Sequence, residues 1–85
     1  MAVGPGRRKR ADSGHAQPAA VLAERIRVMR QTADMTQQEL ATRAGVALST
    51  LRKIETGQIT EPGYFTILAI ANALGISLQE LNPYP

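Results

Sequence analysis

Residues 36–57, TQQELATRAGVALSTLRKIETG, confine this part of the chain to two short helices joined by a tight turn. Thr36 is a good helix N-cap and Glu39 stands three residues on, so each side chain can reach the other's free backbone N–H in a capping box. Leu40, Ala41 and Ala44 then recur at helical spacing. Gly45 stops this helix, because glycine accepts the left-handed conformation that follows a helix end. The spacing predicts a second helix from about Leu48 to Thr56, with Leu51 and Ile54 on its apolar face and Gly57 closing it.

Two short helices around a glycine-containing turn make a helix-turn-helix. In such a unit the first helix lies across the DNA backbone and the second enters the major groove. Leu48, Ser49, Arg52, Lys53 and Thr56 fall at i, i+1, i+4, i+5 and i+8, on the surface opposite Leu51 and Ile54. That surface combines long cations with hydroxyls, which suits phosphates and base edges. Leu48, Ser49, Arg52 and Lys53 are the base-reading candidates, with Arg52 or Lys53 suited to guanine. Leu48 suits either a thymine methyl group or a protein interface.

The run resembles the phage-repressor/Cro (Xre-like) family of helix-turn-helix domains. The matching residues are the TQQELA start, Gly45-Val46, Ser49-Thr50-Leu51, Ile54-Glu55, Gly57, Pro62 and the Ile70-Ala71, Ala73-Leu74-Gly75 end. The match runs from about Leu22 to Leu81, and the downstream residues make it more specific than the two-helix motif alone. The resemblance implies an all-α fold: a compact five-helix, repressor-like bundle with the helix-turn-helix formed by helices 2 and 3. It further implies an ion pair between Arg30 and Glu55, bridging the first and third helices. The alternative for Arg30 is solvent or a phosphate. Gln37 matches a position that contacts phosphate in the family. Ala47 and Leu48 depart from the pattern, which favours a hydrogen-bonding N-cap and a polar first groove residue. Asp34 stands where glycine is usual; aspartate tolerates the left-handed conformation better than most residues.

Eighty-five residues make one small domain. No cysteine is present and the single histidine, His15, lies in a polar stretch, so disulfides and thiolate or histidine metal clusters are excluded. No cofactor is expected. No apolar run approaches the ~20 residues needed to span a bilayer, and no signal-like segment follows the start. A cytoplasmic location is the default.

Charge divides the chain. The net charge is +3. Arg7, Arg8, Lys9 and Arg10 against Asp12 already supply it, so the remainder is neutral. Residues 1–18, rich in glycine and cation, are expected to form a disordered basic arm, and 19–85 the DNA-binding domain. The arm either follows a phosphate backbone or minor groove, or is a solvated tail.

In chain order, Leu22, Ile26, Met29 and Ala33 stripe a first helix from Ala19 to about Ala33. Gln37 and Gln38 open the second, where free N–H groups favour an anion. Arg43, near its end, suits either a phosphate or the helix dipole. Thr50 and Thr56 suit phosphates or helix packing. Pro62 is expected to start a fourth helix, with Tyr64, Ile67, Ile70, Ala71 and Leu74 inward and Gly75 as the stop. Ser77 and Glu80 form a second capping box, and Leu78 and Leu81 close the core.

No catalytic constellation is evident, so the chain is read as a non-enzyme. The leading expectation is a homodimeric, sequence-specific transcriptional regulator of double-stranded DNA, using a face around helices 4 and 5 with Tyr64, Leu78, Leu81 and Tyr84. The alternative is an antitoxin or accessory module that binds a toxin or other protein through the same scaffold.

Overall fold

The computed structural model describes the backbone of residues 4–83 and the side chains of residues 17–83. Five helices follow in order: α1 (Gly4–Thr32), α2 (Gln37–Ala44), α3 (Leu48–Glu55), α4 (Tyr64–Leu74) and α5 (Leu78–Leu81). The described residues contain no strand. α1 packs chiefly on α3 and α2 chiefly on α4, while α5 closes against α4 and α1.

Each helix gives up its apolar face to one cluster. Leu22 and Ile26 come from α1, Leu40 and Ala41 from α2, Leu51 and Ile54 from α3, Ile70 and Ala71 from α4, and Leu81 from α5. Burying a Leu or Ile of this kind contributes about 1.5–3 kcal/mol, so five small helices share one hydrophobic centre that none could form alone. Met35, just after α1, packs back onto it.

Helix ends follow the sequence closely. Thr36 Oγ1 accepts the Glu39 N–H at 3.0 Å, and the Thr36 N–H donates to Glu39 Oε1 at 2.8 Å. That backbone hydrogen bond is the main reason the Glu39 carboxyl sits below its ordinary pKa. At α5 the Ser77 N–H and hydroxyl donate to Glu80 Oε2 at 3.0 and 3.4 Å. Gly45 takes the left-handed conformation after α2, with φ of 71°.

Four expectations change. α1 begins at Gly4 rather than Ala19, although Gly6, Gly14 and Pro18 are all poor helix-interior residues. Pro18, which has no N–H to donate to the preceding turn, is accommodated inside the helix. The side chains of Arg7, Arg8, Lys9 and Arg10 lie outside the described residues. α1 ends at Thr32, which leaves Ala33 exposed. α4 starts at Tyr64 with Gly63 as its N-cap, not at Pro62. Tyr64 therefore sits on the first turn, beyond the edge of the core, and is 60% exposed.

Asp34 is the one described non-glycine residue with positive φ, at 59°. A side chain in that conformation costs about 1 kcal/mol relative to glycine. Asp34→Gly is expected to leave the fold unchanged and not to destabilise it, with a gain of up to about 1 kcal/mol in urea unfolding less what glycine adds to unfolded-chain entropy.

Candidate nucleic-acid interface

α3 divides into two faces. Leu51 and Ile54 are buried in the core. Ser49, Arg52, Lys53 and Thr56 are exposed on the other side, as the spacing predicts. The Thr56 hydroxyl donates to the Lys53 carbonyl at 3.1 Å and so helps finish the helix. Thr50 is half-buried. No side chain caps the start of α3 at Ala47, which forgoes ~0.5–2 kcal/mol of helix stability.

Leu48 lies differently from its expected place at the groove surface. It is half-buried and packs against the core cluster. The exposed hydrogen-bonding capacity of α3 therefore begins at Ser49 and is concentrated at Arg52 and Lys53. Gln38 and Arg43 are exposed on α2. The Gln38 amide donates to Thr42 Oγ1 at 3.0 Å, within its own helix. Arg43 lies close enough to Glu39 to help keep that carboxylate ionised.

The face is held in place by Glu55, 2% exposed. Arg30 reaches it from α1: Nε donates to Oε2 at 2.8 Å and Nη2 to Oε1 at 3.1 Å. This is the ion pair that the family resemblance implied, and its fork-to-fork form is the strong geometry for arginine and carboxylate. Arg30 Nη1 donates to the Met35 carbonyl at 2.9 Å, so the same guanidinium also holds the link to α2. Among the described residues no buried side-chain nitrogen or oxygen lacks a partner.

Two contacts were not foreseen. Arg27 Nη1 donates to the backbone carbonyl of Glu55, which caps the last turn of α3. Arg27 lies outside the apolar stripe of α1, and no sequence pattern reports a backbone acceptor. Gln37, expected at a phosphate, donates its side-chain amide to Glu55 Oε1 at 3.0 Å. A third residue, Phe65, is 79% exposed and stacks edge-on with Tyr64, ring centroids 5.1 Å apart. It is the only phenylalanine in the chain, and an apolar ring just outside the inward stripe of α4 was the available signal.

Leu81, expected at a dimer face, is buried in the core and cannot serve there. Tyr84 lies outside the described residues. A groove of about 530 Å³ runs between the middle of α1, the start of α4 and α5, lined in part by Leu22, Tyr64, Ile67 and Leu78. No group of three or more potential metal ligands occurs among the described residues, and no helix there is long and apolar enough to cross a membrane.

Residues 26–81 match the helix-turn-helix family. The chain belongs to that family, in its Xre/Cro-like branch, and is a DNA-binding regulator by class. Its fold is similar to that of the restriction-modification controller protein C.AhdI from Aeromonas hydrophila. The two are 30% identical, with a TM-score of 0.71 over 74% of this chain and 94% of that one. No curated protein sequence matches the chain.

The Arg30 side chain is 13% exposed and that of Glu55 1%, so removing either strands a charge. Glu55→Ala is expected to cost about 3–5 kcal/mol in urea unfolding. Replacing both, as Arg30→Met with Glu55→Leu, should cost less than Glu55→Ala alone.

Proposed function

We propose that this protein is a sequence-specific transcriptional regulator that reads a pseudo-palindromic operator as a homodimer, with α3 in the major groove. The observation that carries the reading is the exposed Ser49, Arg52 and Lys53 on a helix whose opposite side is locked by Leu51, Ile54 and Glu55. Membership of the helix-turn-helix family and likeness to a restriction-modification controller support it. Two-fold symmetry makes the site pseudo-palindromic, and two reading helices on one side of the duplex set the half-sites about one helical turn apart.

Base reading falls to Ser49, Arg52 and Lys53, with Leu48 contributing apolar contact from the edge of the core. Arg43, Gln38, Thr50 and Thr56 flank that surface as phosphate contacts. Arg7, Arg8, Lys9 and Arg10 carry the net positive charge and are assigned to the DNA backbone, where each neutralised phosphate steepens the salt dependence. The role needs no cofactor and no catalysis, and it places the protein in the cytoplasm with its DNA.

For the dimer face we infer α4. Phe65, Leu68 and Ala69 fall at i, i+3 and i+4, and the exposed Tyr64–Phe65 pair heads the row. An apolar row on a self-facing surface is what a two-fold interface uses. The toxin-binding alternative draws on the neutral domain, the uncapped start of α3 at Ala47 and an exposed Leu48; the first two stand, and the packing of Leu48 against the core removes part of the third.

Selection of bound sites from random duplexes is expected to return a symmetric site. Arg52→Ala and Lys53→Ala should each lose roughly 1–3 kcal/mol on that site. Unchanged affinity of the double variant would sink groove reading by α3. Phe65→Glu should convert the dimer to monomer in sedimentation while circular dichroism stays helical. A variant that remains dimeric would move the interface elsewhere.

A further inference from the structure

We propose that Gln37 is a positioning residue for the reading helix, acting through the hydrogen bond that its side chain gives Glu55. This rests on α3 being the reading helix.

The geometry is specific. Gln37 is the first residue of α2 and Glu55 the last of α3. The two helices are joined at their other ends by the turn around Gly45. A glycine turn fixes connectivity but leaves the angle between the helices soft. The hydrogen bond from Gln37 Nε2 to Glu55 Oε1, at 3.0 Å, ties together the two ends that the turn leaves free. The helix pair thus becomes a closed figure, pinned at both ends.

The acceptor is already fixed. Arg30 holds both oxygens of Glu55 from α1, so Gln37 binds a carboxylate that cannot swing away to follow it. The carboxylate has only acceptors, so the amide nitrogen must be the atom that faces it. With Gln37 in place, Glu55 takes three N–H donors from two other helices. Moving α3 relative to α2 would break a hydrogen bond to a buried charge. Only one of the two amide N–H groups is used in this bond, so turning the amide away from Glu55, not merely meeting a further acceptor, is what would break it.

Loss of the pin should therefore fall on discrimination between sequences. Non-specific affinity comes mainly from cations on phosphates, which a loosened helix angle leaves in reach. Base-edge contacts need the angle held.

The test compares wild type with Gln37→Met, which keeps length and neutrality but has no donor. On the selected duplex the variant is expected to bind about tenfold more weakly, the scale of one hydrogen bond to a charged group, with roughly twofold loss or less on a random duplex. Equal losses on both duplexes, or no loss on either, would overturn the proposal. A second readout is the Gln37 side-chain amide in the 15N spectrum. The proton that faces Glu55 should keep the downfield shift of a hydrogen bond to a carboxylate when the selected duplex is added, and its loss would also overturn the proposal. If wild type prefers no duplex at all, the DNA-reading function fails and the discrimination argument with it. The Gln37–Glu55 contact is then still reported separately, by the Glu55 carboxylate shift in DNA-free wild type and Gln37→Met.

Discussion

A buried carboxylate governs the arrangement. Glu55 ends α3 inside the protein, and a charge there is tolerable only with matched partners. Arg30 supplies two N–H groups from α1, and Gln37 a third from α2. Arg27 takes the backbone carbonyl of the same residue. Three helices are thus referred to one point, and the tilt of α3 is set by how they meet there. Apolar contacts alone are non-directional. They would bring the same helices together but allow a range of angles. The ionic cluster narrows that range, and with it the direction in which Ser49, Arg52 and Lys53 point.

Electrostatics explains why placement matters more than total charge. From residue 19 onward, cations and acids balance. Two of the cations, Arg30 and Arg27, are spent on Glu55, and Arg25 donates to the Asn82 carbonyl at the end of α5. Arg43, Arg52 and Lys53 are left on the exposed surface of the two-helix unit. A domain with no net charge can still present a positive face when its acids are turned inward or hold helix caps, as Glu55 and Glu39 do here. The uncapped start of α3 and the inward lean of Leu48 move hydrogen-bonding capacity toward the second turn of that helix.

A second surface bears on the proposed dimer. A chain of this size buries a modest core, and the exposed Tyr64 and Phe65 lie beside a groove between α1, α4 and α5. Leaving two stacked aromatic rings in water forgoes burial that a neighbouring copy would recover. Dimerisation would stabilise the fold and double the contact with DNA at once.

Much of this was legible in the residues. Local chemistry determined the helix ends: the Thr36–Glu39 box, the glycine stops at Gly45 and Gly75, and the capping at Ser77 need only neighbours a few positions away. Periodicity determined the inward faces of α2 and α3, because burial repeats with the helix turn. The Arg30–Glu55 pair came from family resemblance, since no spacing rule links residues 25 apart. What tertiary structure decided was everything that depends on where an element stops relative to the core. Tyr64 continues the α4 stripe, yet it lies one turn beyond the core edge and is exposed. Leu48 looked like a groove residue, yet the core reaches far enough to cover part of it. Gln37 looked free at a helix start, yet the packing of α3 brings a carboxylate within 3.0 Å. Sequence specifies which face of a helix is apolar; only the assembled bundle specifies how far that face is covered and which distant acceptor a polar side chain meets.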